Sequence, residues 1–284
     1  MEIINRRQRM FSISRKLRRE AKTVGFVATM GALHAGHLTL VRAARAANDV
    51  VIVSIFVNAK QFGNSVDLEE YPRDLTADAA MLAEYEVDYI FAPDEHEIYP
   101  DGFSTYVNVE GLTETLEGSS RPGHFRGVAT VVTILFNTVR PDRAYFGRKD
   151  AQQVTVIKRL TNDLGFEIEI VTIPTVREES GLALSSRNEL LSPEQRAKAS
   201  VIIQSLREAK LAFKQGERDA SDLAQIVRDR IAAEPTARLD YVAIVNGDSL
   251  QSIDRIGDEE TLIVIAVYFG NVRLIDNVVL NRKQ

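Results

Sequence analysis

The sequence predicts an α/β fold in two domains: a parallel sheet with covering helices over residues 1–175, and a smaller α+β domain over 176–284. Three observations carry this. Apolar runs at Val24–Ala28, Asp49–Val57 and Tyr89–Ala92 alternate with helical patterns, a βαβαβ series that makes the first domain Rossmann-like. The second run is a continuous stretch of β-branched residues, as expected of a strand covered on both faces. Past Pro174 the order reverses, with helical patterns first and a Gly270-Asn271 hairpin signal later, which suits antiparallel strands.

Bulk properties set the frame. The 284 residues, 26% charged and 45% hydrophobic, are ordinary for a globular protein. A net charge of −5 argues against nucleic acid as the main partner. Zero cysteines exclude disulfides, thiolate catalysis and cysteine zinc sites, and fit a cytoplasmic protein. The start lacks the apolar stretch of a signal peptide, and no run reaches membrane-spanning length, so no membrane partner is expected.

In chain order, Met10, Ile13 and Leu17 fall at helical spacing within a basic segment, predicting an amphipathic helix over 6–21 with a solvated Arg/Lys face. The strand Val24–Ala28 then runs into Thr29-Met-Gly-Ala-Leu-His-Ala-Gly-His37, followed by a helical pattern over Leu38–Ala47. A strand, a small-residue turn and a helix start make an anion site, because free backbone N–H groups and the helix dipole point the same way. Of four histidines in the chain, His34 and His37 both lie here. Spaced by three, they share a face once a helix begins. A nucleotide phosphate with imidazoles stabilising its charge is the favoured reading; a polar surface turn is the bland one.

The strand Asp49–Val57 ends at Asn58-Ala-Lys-Gln-Phe62, and ligands of open α/β sheets bind at such carboxyl ends. Asn58 and Gln61 both donate and accept, suiting a substrate with hydroxyl and carboxylate groups; a side chain of this segment capping the next element is the alternative. Tyr71–Asp78 starts a helix, with Asp74 and Asp78 read as helix-start acids before magnesium ligands. After the strand Tyr89–Ala92 come loops and a strand-like Thr105–Val109. Glu117-Gly-Ser-Ser-Arg-Pro-Gly-His-Phe-Arg-Gly127 is too polar for a linker and reads as a second helix-start anion site or an interface loop before the helix Val128–Val139.

Arg143–Phe146 is the next strand, ending at Gly147-Arg-Lys-Asp150 before the helix Ala151–Leu164, which carries Gln152 and Gln153. Lys149 at a strand end is placed to meet a phosphate. Phe166–Ile173 closes the first domain. The second begins with polar Arg177–Gly181 and Leu184-Ser-Ser-Arg-Asn188, then a capping-box start at Ser192-Pro-Glu-Gln195. Helices over 193–214 and 219–233 precede strands Leu239–Val245, Thr261–Phe269 and Val272–Leu280. The polar loops offer imidazoles, a lysine, an arginine, serines and amides, which fits phosphoryl or nucleotidyl transfer by positioning and charge neutralisation. A serine-triad acyltransferase fits poorly, since no Gly-x-Ser-x-Gly occurs.

The chain closely resembles the pantoate–β-alanine ligase family of the HIGH-motif nucleotidyltransferases, from about residue 24 onward. The resemblance rests on the 29–37 stretch, Ser54–Asn58 with Gln61-Phe62, Tyr71–Arg73, the 117–127 stretch, Lys149-Asp150 with Gln152-Gln153, and Leu184–Asn188. It implies ATP-dependent condensation of pantoate with β-alanine through a pantoyl adenylate, giving pantothenate, AMP and pyrophosphate. It further implies that Met30, Gly31, Ala32, Leu33, His34, Ala35, Gly36 and His37 bind ATP, with His34, His37 and Lys149 catalytic and His37 the proton donor. Gly147, Arg148, Lys149 and Asp150 would contact the nucleotide, with Val176, Leu184, Ser185, Ser186 and Arg187 closing over it from the second domain. Gln61, Gln153 and Asn58 would serve pantoate or β-alanine. A homodimer and Mg2+ are implied, the metal ligands unassigned. The chain departs from the family pattern at Ala28 and Ala59 (usually Pro), Lys60 (Met or Leu) and Arg148 (Glu). Other readings are a nucleotidyltransferase that leaves the nucleotide on its product, and a nucleotide sensor without turnover.

Overall fold

The computed structural model describes residues 1–63, 68–69 and 71–281. It divides into two compact units, Met1–Gly147 with Val156–Ile173, and Arg148–Thr155 with Pro174–Gln284.

The first unit is built on a six-stranded sheet of β1 (Glu2–Ile4), β2 (Val24–Thr29), β3 (Val50–Ile55), β4 (Tyr89–Phe91), β5 (Arg143–Gly147) and β6 (Glu169–Ile173). The order is β1-β4-β3-β2-β5-β6 and every pairing is parallel. The chain steps outward from β2 through β3 to β4, then returns to lay β5 on the other side of β2. Between the carboxyl ends of β2 and β5 lies the switch point at which such sheets bind ligands. Helices α1 (Arg7–Arg19), α2 (Ala35–Ala47), α3 (Leu75–Ala83) and α4 (His124–Val139) accompany the strands, as does α5 (Ala151–Asp163) from Val156 onward, its first residues grouping with the second unit.

Burial explains the patterns. Residues Val51, Ile52 and Val53 of β3 are wholly buried, consistent with cover on both faces. Helix α1 buries Met10, Ile13 and Leu17, as its spacing predicts. On one side Val27, Val41, Val53, Leu82 and Ile90 share a core. Elsewhere Phe136 of α4 meets Phe26, Phe146 and Phe166 edge-on at centroid distances of 6.4, 6.4 and 5.8 Å.

Several boundaries differ from expectation. Strand β1 was not foreseen: three residues are too short for periodicity to register, and its parallel pairing with β4 is a tertiary fact. Thr105–Val109 forms no strand; the Val107 amide instead donates to Thr130 Oγ1 at 3.0 Å. Helix α2 starts at Ala35 rather than Leu38, and α4 at His124 rather than Val128. Helix-start polar residues carry no apolar signal, which is why both starts read late.

In the second unit α6 (Pro193–Lys198), α7 (Val201–Lys214) and α8 (Ala220–Ala232) precede an antiparallel sheet of β7 (Ala237–Asn246), β8 (Thr261–Phe269) and β9 (Val272–Asn281), β8 central. Ser192 and Gln195 form the expected capping box. The single helix expected over 193–214 is broken between Lys198 and Val201. Buried residues such as Leu206, Leu223, Val227, Ile263, Ile265 and Phe269 form the core. Among the described residues, no helix is long and apolar enough to cross a membrane.

Candidate active site

The turn after β2 is held by a nearly complete set of side-chain acceptors. Thr29 Oγ1 donates to the Ser54 carbonyl at 2.7 Å and accepts the Gly31 amide at 3.3 Å. Gly31 and Ala32 have φ of 84° and 51°, the left-handed region. The Ala32 and Leu33 amides donate to the two carboxylate oxygens of Asp78, at 3.1 and 2.9 Å. His34 is the N-cap of α2, where its Nδ1 accepts the Gly36 amide at 3.1 Å. His37 Nδ1 in turn accepts the His34 amide at 3.4 Å, completing a capping box built from imidazoles.

That arrangement fixes the chemistry of both rings. A neutral imidazole has one donor and one acceptor nitrogen; with Nδ1 accepting, the proton sits on Nε2. The rings stack at 4.1 Å between centroids and 28° between planes. Two Nε2–H donors are thus held side by side at the N-terminus of a 13-residue helix, where the dipole favours an anion. The amides of Gly31, Ala32, Leu33, His34 and Gly36, which the sequence offered to a ligand, donate to side chains instead.

The 58–62 turn adjoins this loop. Gln61 Nε2 donates to Met30 Sδ at 3.0 Å, and Gln61 Oε1 accepts from Asn58 Nδ2 at 3.0 Å. Asn58, 1% exposed, also donates to the Gly127 carbonyl at 3.1 Å and accepts from the Tyr99 hydroxyl at 2.7 Å. Each of its amide functions therefore goes to an intramolecular partner; it braces Gln61 and makes no side-chain cap on the following turn. Burial pushes the Tyr99 phenol well above its ordinary value, so the hydroxyl stays a donor. Lys60, one departure from the family pattern, lies with its ammonium 5.6 Å from the Tyr99 ring centroid.

The 117–127 stretch also supports the Gln61 turn. Arg121 lies 3.3 Å from His124 Nε2 and can only donate, so His124 carries its proton on Nδ1 and gives it to the Gln61 carbonyl at 2.9 Å. A Cβ on Gly127 would sit 2.3 Å from the Lys60 carbonyl oxygen, so only glycine lets α4 approach this turn. Arg126 stacks on Tyr106 at 4.0 Å. This bracing contact was not among the roles expected of the stretch, and it is a tertiary one, reaching 63 residues back from His124 to Gln61. Asp74 caps α3 through the Ala77 amide at 2.9 Å, as read from the sequence, but Asp78 serves the distant turn instead.

In the second unit, Arg148–Asp150 form a 3-10 turn. Asn277 Nδ2 donates to the Arg148 and Lys149 carbonyls at 2.8 and 2.9 Å. Arg148 faces Glu260 at 3.8 Å, while Lys149 Nζ lies 3.4 Å from Asp150 Oδ1. Gln153 follows, half-buried, in the first turn of α5. Val176 and Leu184 sit opposite each other, the Leu184 amide donating to the Val176 carbonyl at 2.9 Å. Ser185 caps the 3-10 turn Ser186–Leu190 through the Arg187 amide, and Arg187 is exposed. Asn188 ties that turn to Glu178 at 2.9 Å and to the Ala183 carbonyl at 3.0 Å. Hydrogen bonds from Arg196 hold the Glu178 carboxyl below its ordinary range.

Asp78, Tyr99, Asn277 and Glu178 were not singled out as site residues. Only the two aspartates of the 71–78 segment offered any hint, and an ordinary helix start explained them.

Comparison with known proteins agrees across the chain. The sequence profile of the pantoate-beta-alanine ligase family matches residues 2–279. Pantothenate synthetase of Acetivibrio thermocellus is 51% identical over 280 residues, covering 99% of each chain. That of Moorella thermoacetica is 56% identical over 263 residues, 93% of each. The crystal structure of pantothenate synthetase from Thermus thermophilus superposes with a TM-score of 0.92 at 46% identity, covering 99% of this chain and 100% of that one. A Francisella tularensis pantoate-beta-alanine ligase complexed with beta-gamma ATP and beta-alanine gives 0.80 at 38% identity, over 99% and 98%.

Proposed function

The chain belongs to the pantoate–β-alanine ligase family, and from that premise we propose which of its residues carry the family's reaction. The reaction joins pantoate to β-alanine with ATP as substrate, in two steps. A pantoate carboxylate oxygen attacks the α-phosphorus, the bond to the bridging oxygen breaks, and pyrophosphate leaves. The β-alanine amine then attacks the acyl carbon of the adenylate, the C–O bond breaks, AMP leaves, and the amine gives up a proton.

The paired Nε2–H donors of His34 and His37 carry the assignment. Negative charge grows on the departing pyrophosphate oxygens as the α-phosphorus is attacked, and donors already aimed at it need no reorganisation. Met30 to His37 line the nucleotide, with His37 the proton donor. Lys149 adds a compact positive charge for the phosphates and Asp150 an acceptor for the ribose. Gly147 and Arg148 complete that contact, and Val176 with Leu184 to Arg187 provides a further nucleotide-binding segment from the carboxy-terminal domain of residues 176–284. Gln61 and Gln153 hold pantoate's hydroxyl and carboxylate, while Asn58 acts by orienting Gln61.

Among the described residues there is no cluster of three or more His, Cys, Asp or Glu suited to a metal. Both Asp78 oxygens accept amides and Asp74 caps its helix. With the Asp74 and Asp78 carboxylates already accepting backbone amides, magnesium is proposed to arrive on the triphosphate, as part of the substrate, which matches its habit of keeping waters and phosphate ligands. A cytoplasmic homodimer is the proposed working form.

The deciding experiment is pantoate-dependent exchange of labelled pyrophosphate into ATP, followed by pantothenate and free AMP on adding β-alanine. A stable nucleotidyl conjugate would point to transfer instead, and ATP binding without exchange would point to a sensor.

A further inference from the structure

Asp78 is 2% exposed, lies 45 residues beyond Leu33 in sequence, and spends both carboxylate oxygens on successive amides of the ATP-binding turn. Two features make this more than packing. First, the turn it holds is strained: Ala32 adopts φ 51°, a region that costs a residue with a Cβ and persists where surroundings impose it. Second, the clamp ends one residue before His34, whose ring caps α2 and stacks on His37. Any rotation of the Ala32–Leu33 peptide therefore swings the ring that begins the helix. Space is tight as well, since a Cβ at Gly31 would lie 2.8 Å from Asp78 Oδ2.

A buried negative charge behind an anion site is unfavourable for binding phosphate, so binding alone gives no reason for it. Its geometry gives one. We propose that Asp78 is a positioning residue for adenylation: by accepting the Ala32 and Leu33 amides it locks the left-handed turn and thereby sets where the His34 and His37 Nε2–H donors point. It also withdraws those two amides from the ligand, leaving the imidazoles as the donors of this corner. The proposal rests on the assignment of the two histidines to the phosphates.

The test is Asp78→Asn, nearly isosteric, which keeps one acceptor but sets an NH2 against the second amide. Pyrophosphate-exchange kcat should fall on the order of 10²-fold, the scale for donors displaced by about an ångström. The KM for pantoate should stay within about twofold: Gln61 does donate to Met30 of the turn, but Asn58 on its side chain and His124 on its carbonyl hold it independently of the clamp. Ala32→Gly introduced into Asp78→Asn removes the strain the clamp was opposing, and should restore kcat about fivefold or more. A structural role alone would lower thermal stability without this rescue. Wild-type kcat in folded Asp78→Asn, a loss confined to pantoate KM, or a double variant no faster than the single overturns the proposal. If Asp78→Asn does not fold, Asp78→Ser, with one small acceptor, is read by the same criteria. His37→Ala assayed alongside separates the two claims: if it exchanges normally the histidine assignment fails, and if it alone is impaired the clamp fails.

Discussion

The two histidines of the β2–α2 turn act as caps and as candidate catalysts at once, and the capping bonds to Nδ1 leave the proton of each ring on Nε2. Removing one donor of a charge-stabilising pair costs about 3–4 kcal/mol of barrier in comparable oxyanion sites. His37→Ala should therefore slow pyrophosphate exchange roughly 10²–10³-fold. Folding should suffer little, because the ring is only half-buried; an unfolded variant in circular dichroism would mean that the cap is its main role. Gln153→Ala should raise the pantoate KM more than the ATP KM, and equal effects in steady-state assays would remove Gln153 from the pantoate site.

Helices and turns show the same economy at the next scale. Helix α4 carries Gly127 against the Lys60 carbonyl, a contact no Cβ permits. Gly127→Ala would gain about 1 kcal/mol of helix propensity. The clash is with backbone at 2.3 Å, which cannot swing away, and overpacking of this kind typically costs about 1–3 kcal/mol. The clash wins, so the variant should melt lower and show a raised pantoate KM as the Gln61 turn shifts. In the second unit Glu178 ties the Ser186–Leu190 turn to Arg196 through Asn188. Its carboxyl is held below 4.5 in the folded chain, so its contribution is fully present above that value and is lost as pH falls through the lower folded one. Glu178→Gln should melt below wild type at neutral pH, and the difference should close under acid, in thermal melts run across pH.

For the whole molecule, grouping of the chain into units bears on function. Arg148–Thr155, with Lys149, Asp150 and Gln153, groups with the carboxy-terminal residues rather than with the strand it follows. The physical cause is specific: Asn277 holds the Arg148 and Lys149 carbonyls, and Thr155 Oγ1 donates to the Gly247 carbonyl at 3.0 Å. Nucleotide binding should stabilise the folded chain by mass action, about 2.7 kcal/mol at 100 times the dissociation constant. Magnesium ATP should raise the apparent melting temperature by several degrees in a thermal-shift assay, and the Lys149→Ala variant should show a smaller rise. Sedimentation should give a species of twice the 31.7 kDa chain mass; a monomer at working concentration would remove the dimer.

By itself the sequence determined the βαβ order, the buried strand β3, the hairpin at Gly270 and the loops bearing His34, His37, Gln61 and Lys149. These are local signals: periodicity of two or 3.6, glycine where φ turns positive, polar clusters at strand ends. Tertiary structure alone decided that Asp78 serves a turn 45 residues away, that His124 and Gly127 brace Gln61, and that Asn277 anchors the lysine loop. A carboxylate or amide looks the same in sequence whether it faces water or a distant backbone N–H. Its role is set by which partner the packed chain brings within about 3 Å, and no local pattern encodes that.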